Sequence, residues 1–177
     1  MGRRSHTRVL GLWMNGAFVG TWSLSPQGDD TLQYDPAWQS SAQGRPLSLS
    51  LPFLPGNAAH RSAQVRAYFE NLLPDSREIR ERVARRFGAR TTAAFDLLAE
   101  IGRDCVGALQ VLADGDAPTG LQDVSATPLS ESEVARILRA AVAPAPLGIA
   151  EDDDDFRISI AGAQEKTALL QHDRRWC

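Results

Sequence analysis

The fold is decided by residues 9–22, which read VLGLWMNGAFVGTW. Within residues 8–24, apolar side chains alternate with small or polar ones on both sides of Asn15-Gly16. Alternation with a period of two is typical of a strand that buries one face. An Asn-Gly pair favours the positive backbone angles of a two-residue hairpin turn. The segment therefore predicts an antiparallel β-hairpin near the start of the chain.

Three other segments extend the predicted hairpin into a small sheet. Residues 31–34 follow a Pro-Gln-Gly-Asp turn and predict a third strand. Residues 45–52 read RPLSLSLP, and their strict alternation predicts a fourth strand with leucine inside and serine outside. Residues 105–112 predict a buried strand, in which Cys105 is a small core residue rather than a nucleophile. These connections favour a small antiparallel sheet that is curled or closes into a partial barrel.

Apolar residues recur at helical spacing in four further segments. The predicted helices cover residues 65–73, 79–87, 95–101 and 134–141. Predicted caps are Asp75 with Glu78, Thr92, and Ser130 with Glu133, and predicted ends are Pro74, Gly88, Gly102, Pro144 and Pro146. A small antiparallel sheet with packed helices makes the predicted fold class α+β.

The second predicted helix carries a basic stripe on its outer side. The stripe consists of Arg77, Arg80, Arg82, Arg85, Arg86 and Arg90. Glu78 and Glu81 precede Arg82 and Arg85 by four residues, which predicts ion pairs along the helix. Two interpretations remain open. The stripe is either a solvated face that these acids partly neutralise, or a contact for nucleic acid or an acidic partner.

The composition favours a globular protein in a reducing compartment. Hydrophobic residues make up 43% of the chain, enough to bury a core. Cys105 and Cys177 provide neither a disulfide framework nor metal spacing, and the histidines form no metal or triad pattern. The apolar run after the basic N-terminus is interrupted by Gly11 and Asn15, so it is too short for a signal peptide or a membrane span. We expect a cytoplasmic protein with no metal site and no membrane contact.

The uneven charge divides the chain into three predicted parts. The net charge is +3 over residues 1–110, −8 over residues 111–155 and +2 over residues 156–177. A segment as acidic as the middle one is typical of a solvated connector, and its run Glu151–Asp155 is predicted to be a hydrated linker rather than a metal site. We therefore predict a β/α domain over residues 1–112, an acidic linker with one short helix over 113–155, and a separate unit over 156–177.

The last part contains a candidate phosphate-binding loop within residues 156–170, which read FRISIAGAQEKTALL. Two strand-like pieces flank the small residues 161–163, and small residues leave backbone N–H groups accessible to an anion. Lys166, the only lysine in the chain, supplies positive charge. Glu165 stands where a Walker loop needs a glycine, so the pattern is closer to the glycine-rich loop of protein kinases. An ordinary hairpin turn with a surface lysine is the alternative.

Five stretches together resemble one family, the HipA toxins of bacterial HipA–HipB toxin–antitoxin modules. They are residues 9–16 (VLGLWMNG), 45–52 (RPLSLSLP), 69–75 (FENLLPD), 95–107 (FDLLAEIGRDCVG) and 157–167 (RISIAGAQEKT). The similarity covers nearly the whole chain in the family's order. It implies a two-lobed serine/threonine kinase, a transferase, whose N-terminal lobe carries a small β/α module in front of the nucleotide loop.

The resemblance also assigns site residues and partners. It implies that the ATP loop is formed by Ala161, Gly162, Ala163, Gln164, Glu165 and Lys166. It makes Ser159 the autophosphorylated serine, whose modification throws the loop outward and inactivates the kinase. ATP and Mg²⁺ are the implied cofactors of a complete enzyme. A HipB-like DNA-binding antitoxin is the implied partner, with DNA reached through it, and a kinase lobe or a second HipA protomer is a further one. Known members phosphorylate a glutamyl-tRNA synthetase and favour persistence.

The resemblance stops short of the family's catalytic machinery. The catalytic base, the metal-holding aspartate and a second nucleotide lysine all lie beyond the position that matches Cys177. Phosphoryl transfer needs the metal, the positioned nucleophile and the phosphate cradle together. We therefore expect no catalytic residue, no kinase activity and no stably bound nucleotide in this chain alone. The alternatives are a stand-alone module that neutralises a separate HipA-like kinase, and a decayed toxin fragment.

Overall fold

The predicted hairpin is present in the computed structural model, which describes residues 6–61, 63–105, 107–120, 126–142 and 169–177. Strand β1 (Arg8–Met14) pairs antiparallel with β2 (Ala17–Leu24). The turn between them is Asn15-Gly16, with φ values of 50° and 81°. Such paired positive angles match the twist of the flanking strands, which explains why Asn-Gly occupies the turn.

Two further strands complete a four-stranded antiparallel sheet in the order β3-β2-β1-β4. Strand β3 (Asp30–Tyr34) confirms the third prediction, and β4 (Leu109–Ala113) is shorter than the strand predicted from residue 105. A Cβ added at Gly20 would lie 2.1 Å from the Gln33 carbonyl oxygen, so glycine allows β2 and β3 to approach at this point. The α+β fold class is confirmed, and of the two predicted forms the structure has the antiparallel sheet.

The prediction of a strand over residues 45–52 is wrong, because this segment is a loop. Leu51 is fully buried, whereas Leu49 is 100% exposed, so the leucines do not share one inner face. The Tyr34 hydroxyl accepts from the Leu47 N–H at 2.9 Å and donates to the Leu51 carbonyl at 2.7 Å. The Leu51 N–H donates to the Ser48 carbonyl at 3.0 Å. These bonds use the backbone groups that a strand would need for a neighbour.

The described residues form five α-helices, of which the sequence predicts four. They are α1 (Pro36–Ser40), α2 (Ala63–Glu70), α3 (Arg77–Phe87), α4 (Ala94–Ile101) and α5 (Glu131–Val142). The cap of α3 is Ser76, not Asp75, since the Ser76 hydroxyl accepts from the Ile79 N–H at 3.4 Å. The cap predicted at Thr92 is also wrong, because α4 begins after Ala93. Gly88 ends α3 in the left-handed conformation, as predicted.

The core is built around Trp22. Its ring stacks on Phe69 with centroids 3.7 Å apart and meets the Phe95 ring edge-on at 4.7 Å. Its indole N–H donates to Asp30 at 2.9 Å, which satisfies the buried donor. Strand β2 is thereby joined to α2 and α4. Every buried apolar side chain in the described part of the chain lies between Leu10 and Leu112.

Two smaller elements follow this core. Helix α5 begins with the predicted capping box, in which the Glu133 carboxylate accepts from the Ser130 N–H at 2.7 Å and from its hydroxyl at 2.6 Å. These bonds lower the pKa of Glu133. Two short strands, β5 (Gln171–His172) and β6 (Arg175–Trp176), form a second hairpin. The Leu129 N–H donates to the Trp176 carbonyl at 2.7 Å, so the hairpin lies beside the start of α5.

Candidate functional site

The predicted nucleotide loop lies outside the described residues. This holds for Ala161 to Lys166 and for the candidate phosphorylation site Ser159, and also for Pro144 and Pro146, the predicted end of α5. The assignments of these residues therefore stay predictions. So do the domain boundaries at residues 112 and 155.

The described chain resumes directly after the predicted loop, at Leu169. Leu170 and Cys177 exchange backbone hydrogen bonds of 2.9 and 2.7 Å, and Asp173 and Arg174 form the turn with φ values of 49° and 63°. Residues 167–170 are the second of the two predicted strand-like pieces; they are described only from Leu169, and within residues 169–177 the first strand begins at Gln171. The described residues that follow the predicted loop thus form a short hairpin of their own.

Two arginine–carboxylate pairs fasten the sheet to the helices. Arg66 on α2 contacts Asp30 on β3 at 2.7 Å, and Asp30 also accepts from the Trp22 indole. Arg8 on β1 contacts Asp96 on α4 at 2.5 Å. Both carboxylates are buried and bonded to neighbouring elements. Their contacts make them structural groups rather than acid–base catalysts.

Arg80 forms a third arginine–carboxylate pair, which we call the Arg80 clamp, at the corner where α2, α3 and α4 meet. Its guanidinium donates to the Pro74 carbonyl at 2.6 Å and forms an ion pair with Glu70. The Glu70 carboxylate in turn accepts from the Ala94 N–H at 3.4 Å. The side chain of Arg80 is only 16% exposed. Its place in the predicted outer stripe is therefore wrong, because Arg80 points into the module.

The outer side of α3 still carries several arginines. Arg77 pairs with Glu81 at 2.9 Å, and within the described residues the predicted pairs Glu78–Arg82 and Glu81–Arg85 are not formed. Arg82, Arg85, Arg86 and Arg90 are exposed. A cleft of about 240 Å³ at the end of the helix is lined by Glu81, Ala84, Arg85, Ala89, Arg90, Thr91 and Thr92. The stripe thus loses Arg80, Arg77 stays exposed at the start of α3, and the other exposed arginines lie toward its C-terminal end.

The loop over residues 46–52 presents an apolar side chain that the predicted alternation placed inside. Leu49 stands at its tip, and the serines on either side bond to each other through their hydroxyls at 2.9 Å. The Tyr34 hydroxyl holds both arms of the loop. Pro46 and Pro52, which bracket the segment, were the sequence signal against a central strand.

Within the described ranges, no group of three or more His, Cys, Asp or Glu side chains is placed to hold a metal ion. His60 is buried, and its ring bonds to the Pro52 carbonyl at 2.7 Å while its backbone pairs with Leu32. This makes His60 part of the loop scaffold. None of the described helices has the length and apolar character that crossing a membrane requires.

Comparison with known proteins identifies the folded unit. The chain is 35% identical over 169 residues to "Putative kinase Y4mE" of Sinorhizobium fredii, an alignment that covers 94% of this chain and 39% of that relative. The chain therefore spans about two-fifths of the length of the relative. Residues 10–112 match the HipA N-terminal domain family, and the buried core spans the same residues. The chain belongs to the HipA N-terminal domain family.

Proposed function

We propose that the chain is the N-terminal part of a HipA-type serine/threonine kinase, in which it supplies the ATP-phosphate loop and contacts to an antitoxin or a second protomer. One observation carries the proposal. The similarity to a relative named as a kinase covers 94% of the chain, too much of its length to leave out residues 161–166. The match therefore runs through the folded module and on through the candidate loop.

The chemistry of the loop suits a triphosphate. Ala161, Gly162 and Ala163 leave backbone N–H groups open to an anion, and Lys166 adds a positive charge. Phosphate on Ser159 would add about −1.5 to −2 charges beside this cradle. Such a charge would repel ATP, so modification of Ser159 would act as an off-switch. ATP and Mg²⁺ are the cofactors that a complete kinase of this type would use, because phosphoryl transfer needs a metal ion beside the phosphate cradle.

The contact role rests on the Leu49 loop. A fully exposed leucine held on a hydrogen-bonded loop loses little entropy on binding. We assign this tip to a partner protein with an apolar socket, and a HipB-like DNA-binding antitoxin is the first partner to test. The substitution Leu49→Asp should weaken copurification with that partner, whereas Leu138→Asp, which alters another exposed leucine, should not.

A chimera tests the kinase role. In it, residues 1–177 replace the matching segment of the Sinorhizobium fredii relative, and phosphate incorporation from labelled ATP is measured. We expect incorporation that Ser159→Ala removes, in a variant whose thermal unfolding is unchanged. We expect none in the 177-residue chain alone. Incorporation by the chain alone, or by the chimera after Ser159→Ala to the same extent as before, would contradict the assignment.

A second function is favoured by the position of the core. The described buried side chains lie within residues 10–112, so the module has the interior of a self-contained binding protein. Such a protein could neutralise a separate HipA-like kinase. A pull-down of the 177-residue chain against the kinase lobe of the relative separates the two functions. Binding with loss of kinase activity supports the neutralising module, and binding that creates activity supports the proposed kinase part.

A further inference from the structure

We propose that the C-terminal half of α3 binds the phosphate backbone of a nucleic acid without reading its sequence. The contact is made by Arg82, Arg85 and Arg90, which we call the arginine face. The proposal concerns only this face, and it stands whether or not residues 161–166 hold ATP.

The geometry of the arginine face suits a row of phosphates. Arg82 and Arg85 are three residues apart on α3, so they lie on neighbouring positions of one side. Arg90 follows the cap at Gly88 and lines the same cleft as Arg85, together with Thr91 and Thr92. The stretch of α3 from Arg82 to Phe87 is about 9 Å long, and duplex DNA carries one charge per about 1.7 Å of axis. The face can therefore meet several phosphates at once.

The guanidinium charges of the arginine face are available to a ligand. Across the described residues, Arg82, Arg85 and Arg90 take part in no ion pair, whereas Arg77 and Arg80 are engaged by Glu81 and Glu70. Glu81 lines the cleft, but its carboxylate is held by Arg77 at 2.9 Å. The acids near the helix are thus partly used by the arginines that do not belong to the face.

The arginine face is also held rigidly. Ser76 caps the start of α3, Gly88 ends it, and Val83 is buried in the core. The Arg80 clamp ties the helix to Pro74 and Glu70. Backbone positions fixed in this way reduce the ordering cost of binding.

The surroundings favour a nucleic acid over an acidic protein. At protein interfaces, arginine anchors act together with buried aromatic ones such as Trp and Tyr. The exposed large apolar residues of the described chain are Leu49, Leu138, Leu170 and Trp176, and none of them lies on α3. Contact with a phosphate backbone needs only cations and hydrogen-bond donors. The α3 face offers those and no apolar anchor.

Fluorescence anisotropy of the full chain with labelled duplexes tests the proposal. Three neutralised phosphates predict an affinity that falls about 40-fold from roughly 50 to 200 mM salt. The triple variant Arg82→Gln, Arg85→Gln, Arg90→Gln should lose most of this salt dependence. The matched control is Arg45→Gln, Arg61→Gln, Arg103→Gln, which removes the same charge from exposed positions outside α3. It should keep the salt dependence.

Binding measurements with other probes identify the class of partner. DNA and RNA duplexes of the same sequence distinguish the two sources of the backbone, and a scrambled duplex should bind equally well. A polyglutamate peptide is the acidic-protein probe. The proposal is overturned if no duplex binds, if both triple variants lose affinity equally, or if polyglutamate binds the face while the duplexes do not.

Discussion

Residues 8–24 and residues 45–52 show the same alternation of apolar and small or polar residues, yet only the first segment forms strands. The first contains an Asn-Gly turn, so its two halves pair with each other. The second is bracketed by Pro46 and Pro52, and the Ser48 hydroxyl accepts from the Ser50 N–H at 3.2 Å. Serine side chains that bond the local backbone compete with a strand ladder. Alternation therefore predicts a strand only where a partner strand is also available.

The largest loss of stability should come from a substitution in residues 8–24, the segment whose strands pair. Trp22 on β2 contacts Phe69, Phe95 and Asp30, so Trp22→Ala opens a large cavity and leaves a buried carboxylate with one partner fewer. We expect a loss of about 3–5 kcal/mol in the free energy of unfolding, measured by urea denaturation. A loss below about 1 kcal/mol would show that the core does not depend on this residue.

The second-largest loss of stability should distinguish two leucines within residues 45–52, the segment that forms no strand. Leu51 is 0% exposed and Leu49 is 100% exposed. Leu51→Ala should destabilise by about 2–5 kcal/mol, and Leu49→Ala should stay within about 0.5 kcal/mol. Equal losses for the two variants would mean that the segment alternates as a strand after all.

A smaller effect should follow from releasing the loop. Tyr34→Phe removes the hydroxyl that bonds Leu47 and Leu51, at an expected cost of about 1–3 kcal/mol. Tyr68→Phe is the control, because the Tyr68 hydroxyl makes no hydrogen bond within the described residues. Hydrogen exchange of the Leu47 amide should quicken in the first variant alone. Unchanged exchange there would show that the loop does not need the clamp.

The smallest effect is a loss of stability in alkali. Burial raises the pKa of Tyr34 and raises the pKa of Tyr68 to about 12. A raised tyrosine pKa keeps the proton on the folded state, so stability is intact below the ordinary value near 10 and declines as pH rises from there toward 12. Thermal unfolding of wild type and Tyr68→Phe from pH 9 to 12 measures this decline. Equal declines would contradict it.

Local chemistry made most of the module predictable. The Asn15-Gly16 hairpin, the Gly88 stop and the Ser130–Glu133 capping box depend on neighbours in the sequence, and all three are present. Some errors are local, such as the caps predicted at Asp75 and Thr92, but two larger ones depend on residues farther along the chain. Arg80 turns inward because Glu70 and Pro74 meet it in space, and residues 45–52 form a loop because Tyr34 holds them. The spacing of residues along the chain predicts neither contact.

The candidate sites show the same difference between features set by local sequence and features set by tertiary packing. The arginines of α3 were recognised from their spacing, but which of them stay exposed depends on the packing of three helices. The alternation of residues 45–52 places Leu49 in the interior, whereas the structure exposes it fully. The nucleotide loop depends on residues 161–166, whose roles come from the family resemblance and their small side chains.

The most direct test of the proposed function is the ATP affinity of the chimera with its loop altered. We predict that Gly162→Glu with Lys166→Glu weakens binding about tenfold or more, the effect of losing one charged hydrogen bond. The control Ala117→Glu with Arg139→Glu changes the net charge equally at exposed positions and should bind as wild type does. Equal ATP affinity for the loop variant and the unaltered chimera would contradict the assignment of residues 161–166 to the triphosphate.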